Sequence, residues 1–217
     1  MEFLLNLTAE RSVAREALKG VLWTIFFHRL FGPVVPVTNE FLEIPYPMVV
    51  GVPDIDSAID ERIDQLIKRD FSLATHNAEP SVGQIVVLFA QKATKSKKKL
   101  GWFGHVKEEP ASTVWETWTI NVNCLPLLYS EHQPSGPTNA VNPAERLLRL
   151  SALSFEATLN EILNLANTHK DHIPPIMTLD VCPFPYEITV DPQLAANPPA
   201  ADDETWAQYI KKLMEQI

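Results

Sequence analysis

Cysteine is nearly missing from this chain: Cys124 and Cys182 are the two it has, both in apolar surroundings and not in a C-x-x-C pair. That excludes a disulfide scaffold and leaves two ordinary reduced thiols, as in a cytosolic protein. Glycine is scarce too, with 7 in 217 residues, and none of the glycine-dependent signatures occurs: no G-x-S-x-G, no P-loop, no G-x-G-x-x-G. Long apolar runs are absent; the longest, Val21 to Phe27, is too short to span a bilayer. The start carries acidic Glu2, and no small-residue cleavage site follows a basic, apolar run. A signal peptide is therefore not expected, the expected location is cytoplasmic, and the Asn6-Leu7-Thr8 sequon carries no meaning. Net positive charge is lacking as well. A formal charge of −9 argues against nucleic acid as a partner of the whole chain.

Apolar residues and proline are abundant. Hydrophobic residues make up 46%, enough for the core of one domain, or of one domain with a tail. The 18 prolines cluster at Pro33/Pro36, Pro45/Pro47, Pro134/Pro137/Pro143, Pro174/Pro175, Pro183/Pro185 and Pro198/Pro199, where they stop helices and central strands.

Between these stops the periodicity alternates between helix and strand. Phe3 to Leu7 reads as a short first strand, and Thr8 as the N-cap of a helix running to about Phe31, with Val13, Ala17, Val21 and Ile25 on its apolar face. Val34 to Val52 reads as short edge strands broken by proline. A second helix opens at Asp54, Asp56 or Ser57, with Ile59, Ile63, Leu66 and Ile67 as its stripe. Gln84 to Lys92 and Thr113 to Cys124 read as two strands of a long hairpin. Val114, Trp118, Ile120 and Val122 alternate with polar residues in the second strand, which puts Trp118 in the core and Trp115 on the opposite face. Ser130 to Asn142 is a loop. Pro143 then starts a long helix, Ala144 to about Thr168, so apolar around its circumference that it is expected to be mostly buried across the sheet. Ile176 to Val181 and Tyr186 to Val190 read as late strands. The sum is an α+β fold, with helices gathered against a hairpin-built sheet.

No pattern assembles a reaction centre. His169-x-x-His172 with Asp171 has metal-like spacing, yet it sits at a helix end where cationic side chains favour the dipole, and no third ligand lies nearby in sequence. Asp54-x-Asp56 with Asp60 and Asp64 lacks the glycine and closing glutamate of a calcium loop. Gly101-Trp102-Phe103-Gly104 matches a bare GxxG, but it bridges strands rather than helices. No metal, no cofactor and no catalytic residue is expected.

Trp102 and Phe103 are the feature that asks for an explanation. They stand at the tip of the hairpin loop, behind Lys92, Lys95, Lys97, Lys98 and Lys99 and between two glycines. So polar a loop is hard to bury, and leaving the rings in water costs about 1.5–3 kcal/mol per large apolar side chain unless a partner covers them. The pair reads as a partner-binding finger, with folding back onto its own hairpin as the alternative. The lysines form a candidate patch for anionic lipid or phosphate, the alternative being a solvated loop face. Asp202 to Ile217 reads as an amphipathic helix with Trp206, Ile210, Leu213 and Ile217 on one face, suited to a partner's groove or to its own domain.

Four segments together carry a resemblance: Val21-Leu22-Trp23-Thr24-Ile25-Phe26-Phe27-His28-Arg29; the lysine run leading to Trp102-Phe103; Val114-Trp115-Glu116-Thr117-Trp118-Thr119-Ile120-Asn121-Val122; and Tyr186-Glu187-Ile188-Thr189-Val190. In order and spacing they resemble the family of autophagy-related protein 101, the small HORMA-domain subunit of the autophagy-initiation kinase complex. The resemblance spans most of residues 1 to 190. It implies a HORMA-like domain over 1–192 in the open, unliganded state, with the finger loop at 93–112, a Pro/Ala linker at 193–201 and the terminal helix at 202–217. It implies an adaptor and not an enzyme. Such an adaptor pairs with, and stabilises, the HORMA domain of a second subunit, autophagy-related protein thirteen. It acts at the phagophore assembly site and recruits downstream autophagy factors through Trp102 and Phe103. A basic-loop module for phospholipid or nucleic acid is the competing reading.

Overall fold

The first strand outruns its expected end. The structure, a computed structural model, describes residues 1–71, 80–91, 113–126 and 142–190. In it β1 spans Glu2–Glu10, because the inward alternation of Phe3, Leu5 and Leu7 continues through Ala9. Thr8 is therefore a strand residue and not a helix cap. Helix α1 starts at Ala14 and ends at Phe27, shorter at both ends than its apolar pattern suggested. Its buried residues include Leu18, Val21, Leu22, Trp23, Ile25 and Phe26, and it forms the centre of the core.

Two strands, β2 (Val35–Phe41) and β3 (Ile44–Val50), form a separate antiparallel ribbon. Leu42 and Glu43 turn it, both at positive φ (46° and 67°), the paired geometry that a two-residue hairpin loop requires. Pro36, Pro45 and Pro47 are tolerated there because a two-stranded ribbon has only edges. Helix α2 (Pro53–Leu66) follows, with proline in its first turn and Ile55, Ile59, Ile63 and Leu66 inward, and one π-turn over Ile67–Phe71 ends it.

The main sheet has the order β1-β5-β4-β6, built with β4 (Ser81–Gln91), β5 (Thr113–Leu125) and β6 (Tyr186–Val190). It is mixed: β1 runs parallel to β5, while β4 runs antiparallel to both β5 and β6. Core side chains point from one face, toward α1 and α2: Leu5, Leu7, Ile85, Val87, Trp118, Ile120 and Ile188. The opposite face carries Leu4, Asn6, Thr117, Thr119, Asn121 and Val86, partly or fully open to solvent. Asn121 bridges this face, donating to Asn6 Oδ1 (3.2 Å) and accepting from Gln84 Nε2 (2.9 Å). This is the expected α+β architecture, with helices on one face of a mixed sheet.

Three further expectations change. Strict alternation placed Trp115 opposite Trp118, but the β4–β5 register slips between Phe89 and Ala90, so Phe89 faces Glu116 while Ala90 faces Val114. The bulge leaves Trp115 as the extra residue and turns it inward beside Glu116, which shares the Trp118 face by alternation. Helix α3 (Pro143–Thr168), capped by Asn142 Oδ1 at the Ala144 N–H, has the expected bounds but not the expected burial. It lies along β1 and α1 as an amphipathic helix, with Leu153 and Leu163 exposed and Ser151, Ser154 and Thr158 inside. The most buried helix is α1, with its open side near its start, at Arg15, Glu16 and Lys19. Finally, Ile176 to Val181 is not a strand. It is an irregular strap on which Met177 is 85% and Leu179 91% exposed. β6 takes the place on β4 that a strand there would need. The strap touches down at Val181, whose carbonyl accepts from the Phe31 and Gly32 N–H groups. A Cβ on Gly32 would stand 2.6 Å from Asp180 O and Val181 Cα, so this approach needs glycine.

Candidate functional site

The hairpin that bears the predicted finger is fixed at its base. Gln91 and Thr113, the last residues described on either strand, are cross-strand partners. Trp102, Phe103, Lys92, Lys95, Lys97, Lys98 and Lys99 lie outside the described residues, as do Trp206, Ile210, Leu213 and Ile217.

Just inside that base sits a buried charge cluster which the sequence reading did not single out as a site. Glu116 (0% exposed) and Arg29 (2% exposed) form a two-pronged pair, Nε to Oε1 at 2.7 Å and the second guanidinium nitrogen to Oε2 at 2.8 Å. Arg29 also donates to the His28 carbonyl at 2.9 Å. The Trp118 indole N–H donates to Glu116 Oε1. His172 Nε2 lies 2.7 Å from Oε2. One carboxylate thus ties β5 to the end of α1 and to the segment after α3. Its acceptor positions are filled and no solvent reaches it, which suits a structural tie rather than a reacting group. A lone carboxylate between two tryptophans in an alternating strand was the one signal for it in the sequence.

Aromatic rings close the cluster. Phe3 packs on Trp118 (4.5 Å), His169 (5.5 Å) and His172 (6.1 Å), and Trp115 packs on Phe89, His172 and Phe184 at 5.9, 5.6 and 5.0 Å. His169 and His172 are thus packing groups and a carboxylate partner. Among the described residues no three acidic, histidine or cysteine side chains gather as a metal site. Asp56, Asp60 and Asp64 of α2 pair instead with Lys19 and Arg15 of α1. Burial pushes the Cys124 thiol up to about 11, and Cys182 is raised for the same reason, so neither is a reactive thiolate.

Two open grooves flank this frame. One, of about 490 Å³, runs beside the hairpin base between Gln91 and the strap, lined by Pro175, Met177, Cys182, Phe184 and Tyr186. The other, of about 300 Å³, lies between α1, β3 and α3, with His28, Ile44, Pro47, Leu159 and Leu163 on its walls. Burial lowers the His28 pKa, with Arg29 and Lys170 adding to the effect, which favours its neutral imidazole, while Glu156 also lines this groove. Among the described residues no helix is long and apolar enough to cross a membrane.

Comparison with known proteins agrees with this frame. The sequence profile of the family described as autophagy-related protein 101 matches residues 6–180. Autophagy-related protein 101 of Arabidopsis thaliana is 33% identical over 196 residues, 86% of this chain and 85% of that protein. Its namesake in Schizosaccharomyces pombe (strain 972 / ATCC 24843) is 26% identical over 204 residues, 93% of this chain and 88% of that one.

Proposed function

The chain belongs to the autophagy-related protein 101 family, and from that premise we propose that it is a non-enzymatic adaptor of the autophagy-initiation kinase complex. It pairs through its HORMA-like domain with a second HORMA subunit, autophagy-related protein thirteen, and stabilises that subunit by binding only its folded form. It works in the cytoplasm at the phagophore assembly site, where Trp102 and Phe103 present hot-spot aromatics to downstream factors. The observation that carries this reading is the family match over residues 6–180. The pairing of Gln91 with Thr113 and the Glu116 ion pair nearby support this reading, since a presenting loop needs an anchored base. Within this reading the domain is 1–192 with the finger loop at 93–112, followed by a linker at 193–201 and a terminal helix at 202–217 whose Trp206, Ile210, Leu213 and Ile217 face a partner.

Co-expressed with its HORMA partner, the chain should elute with it in one peak on size exclusion. Separate elution at micromolar concentration would remove the dimer. The double variant Trp102→Ala/Phe103→Ala should keep that peak and hold stability within about 0.5 kcal/mol of the wild type, as surface changes do, while autophagic flux falls. A stability loss of several kcal/mol would instead mean that the rings are tucked into their own hairpin.

The lysine run supports one additional contact, with anionic membrane. Replacing Lys92, Lys95, Lys97, Lys98 and Lys99 by glutamine should weaken sedimentation with phosphatidylserine liposomes and remove its salt dependence. Unchanged sedimentation would leave the run as a solvated face.

A further inference from the structure

The groove of about 490 Å³ beside the hairpin base has walls that are held from behind. Phe184 is wedged against Trp115 (5.0 Å) and Phe31 (5.9 Å), Tyr186 against Phe26 (5.0 Å), and the Pro185 carbonyl accepts from the Ala90 N–H (2.8 Å). A groove so braced needs no rearrangement to take up a ligand. Among the described residues its lining is rich in proline and aromatic rings: Pro175, Pro183 and Pro185 with Phe184 and Tyr186, and Asp180 is the one charge. Its outer wall is Met177, 85% exposed, and Leu179 of the same strap is 91% exposed. Large apolar side chains so open to water favour a cover. Walls of this composition suit an extended, proline-bearing chain. Polyproline segments dock on aromatic-lined grooves, and proline has little conformational freedom left to lose. The volume would hold about one turn of an α-helix, which is about 10–12 Å across, so a helix over residues 202–217 does not fit it.

The chain itself carries a segment of that chemistry within reach. β6 starts at Tyr186, on the groove wall, and ends at Val190. Those two residues stand about 13 Å apart along the strand. Asp191-Pro192 comes next, the residue pair favoured at the first two positions of a chain reversal. Once reversed, residues 193–197 cover up to about 16 Å, which returns the chain to the level of Tyr186. Pro198-Pro199 follows there. We propose that residues 193–201 fold back along β6 and seat Pro198-Pro199 in this groove, as a ligand supplied by the chain itself. Tethering makes the local concentration of the segment high, so modest apolar contacts suffice to hold it. The seat would place residue 202, where the terminal segment begins, beside Gln91, the root of the finger loop. Finger and terminal segment would then face one side of the domain. That consequence rests on the roles proposed for them above; the seating does not.

Cys182 is a reporter already present in the groove wall: it is partly buried, while Cys124 is buried and serves as the internal control. The full chain is treated with N-ethylmaleimide at mildly alkaline pH, and mass spectrometry follows adduct formation at each cysteine. Pro198→Asp/Pro199→Asp puts two charges where apolar walls desolvate them and Asp180 repels them. Alkylation of Cys182 should run about tenfold faster in this variant, with Cys124 unchanged. Met177→Asp, a change at an exposed wall position, should have the same effect from the other side of the contact. Combining it with Pro198→Lys/Pro199→Lys should bring the rate back to that of the wild type. Thermal melting checks that each chain is folded. Equal Cys182 rates in the wild type and in Pro198→Asp/Pro199→Asp overturn the proposal. A failed rescue also overturns it, as does protection of Cys182 that appears only when the HORMA partner is added, which would give the groove to that partner. Should Met177→Asp not fold, the linker variant decides alone. Separate elution from the HORMA partner with the Cys182 difference intact would remove the adaptor reading and leave the seat standing.

Discussion

Glu116→Ala should lower the stability of the domain by about 3–5 kcal/mol, the usual loss when one member of a buried ion pair is deleted. For a domain of this size that is about 10–15 °C in Tm. The reason is the debris it leaves. Arg29, 2% exposed, keeps a full charge with the His28 carbonyl as its one remaining acceptor, and the Trp118 N–H and His172 Nε2 lose their shared partner. The double variant Arg29→Met/Glu116→Leu should cost far less than Glu116→Ala, since apolar groups of similar volume remove the stranded charge together with its partner. Urea denaturation of the three chains checks this. A loss under about 1 kcal/mol for Glu116→Ala would mean that water reaches Arg29 and that the cluster is no tie.

Phe155→Ala should cost a similar amount, about 3–5 kcal/mol, because it empties the joint between α3, α1 and the β2–β3 ribbon. The Phe155 ring lies 4.6 Å from that of Phe41 and 5.9 Å from that of Tyr46. It also presses on α1 at Gly20, where an added Cβ would come within 2.6 Å of Phe155 Cζ. Gly20→Ala is therefore expected to destabilise the wild type, even though alanine in a helix interior is worth about 1 kcal/mol more than glycine. In the Phe155→Ala background the main obstacle is gone and only Tyr46 Cδ1, 3.2 Å from the added Cβ, has to give, so Gly20→Ala should cost less than in the wild type or become stabilising. A double-mutant cycle by thermal melting reads this coupling directly. Additive effects would show that α1 and α3 do not touch at this point.

Much of the fold was legible because apolar period reports burial directly. The alternation in Thr113 to Cys124, the stripe of α2 and the proline start of α3 each found their element. The misreadings share one cause, local pattern overruled by a neighbour. Thr8 has the chemistry of a helix cap, but β5 offers its stretch a parallel partner through Glu10. Trp115 obeys alternation only until the bulge at Phe89/Ala90 resets it. Ile176 to Val181 has the composition of a strand, but it docks elsewhere, through the Val181 carbonyl on the Phe31 and Gly32 N–H groups. In the site, Glu116 and Arg29 stand 87 residues apart, and sequence carries no distance between them.

By itself, then, the order of residues determined the class of fold and the family, because hydrophobic period and rare aromatic motifs are local properties that survive without knowing what packs where. The tertiary structure alone decided which helix is central, where the buried carboxylate finds its cations, and that three hydroxyls of α3 hydrogen-bond to the backbone of β1. These are relations between segments as much as 152 residues apart, set by shape and by the cost of leaving a buried polar group without a partner.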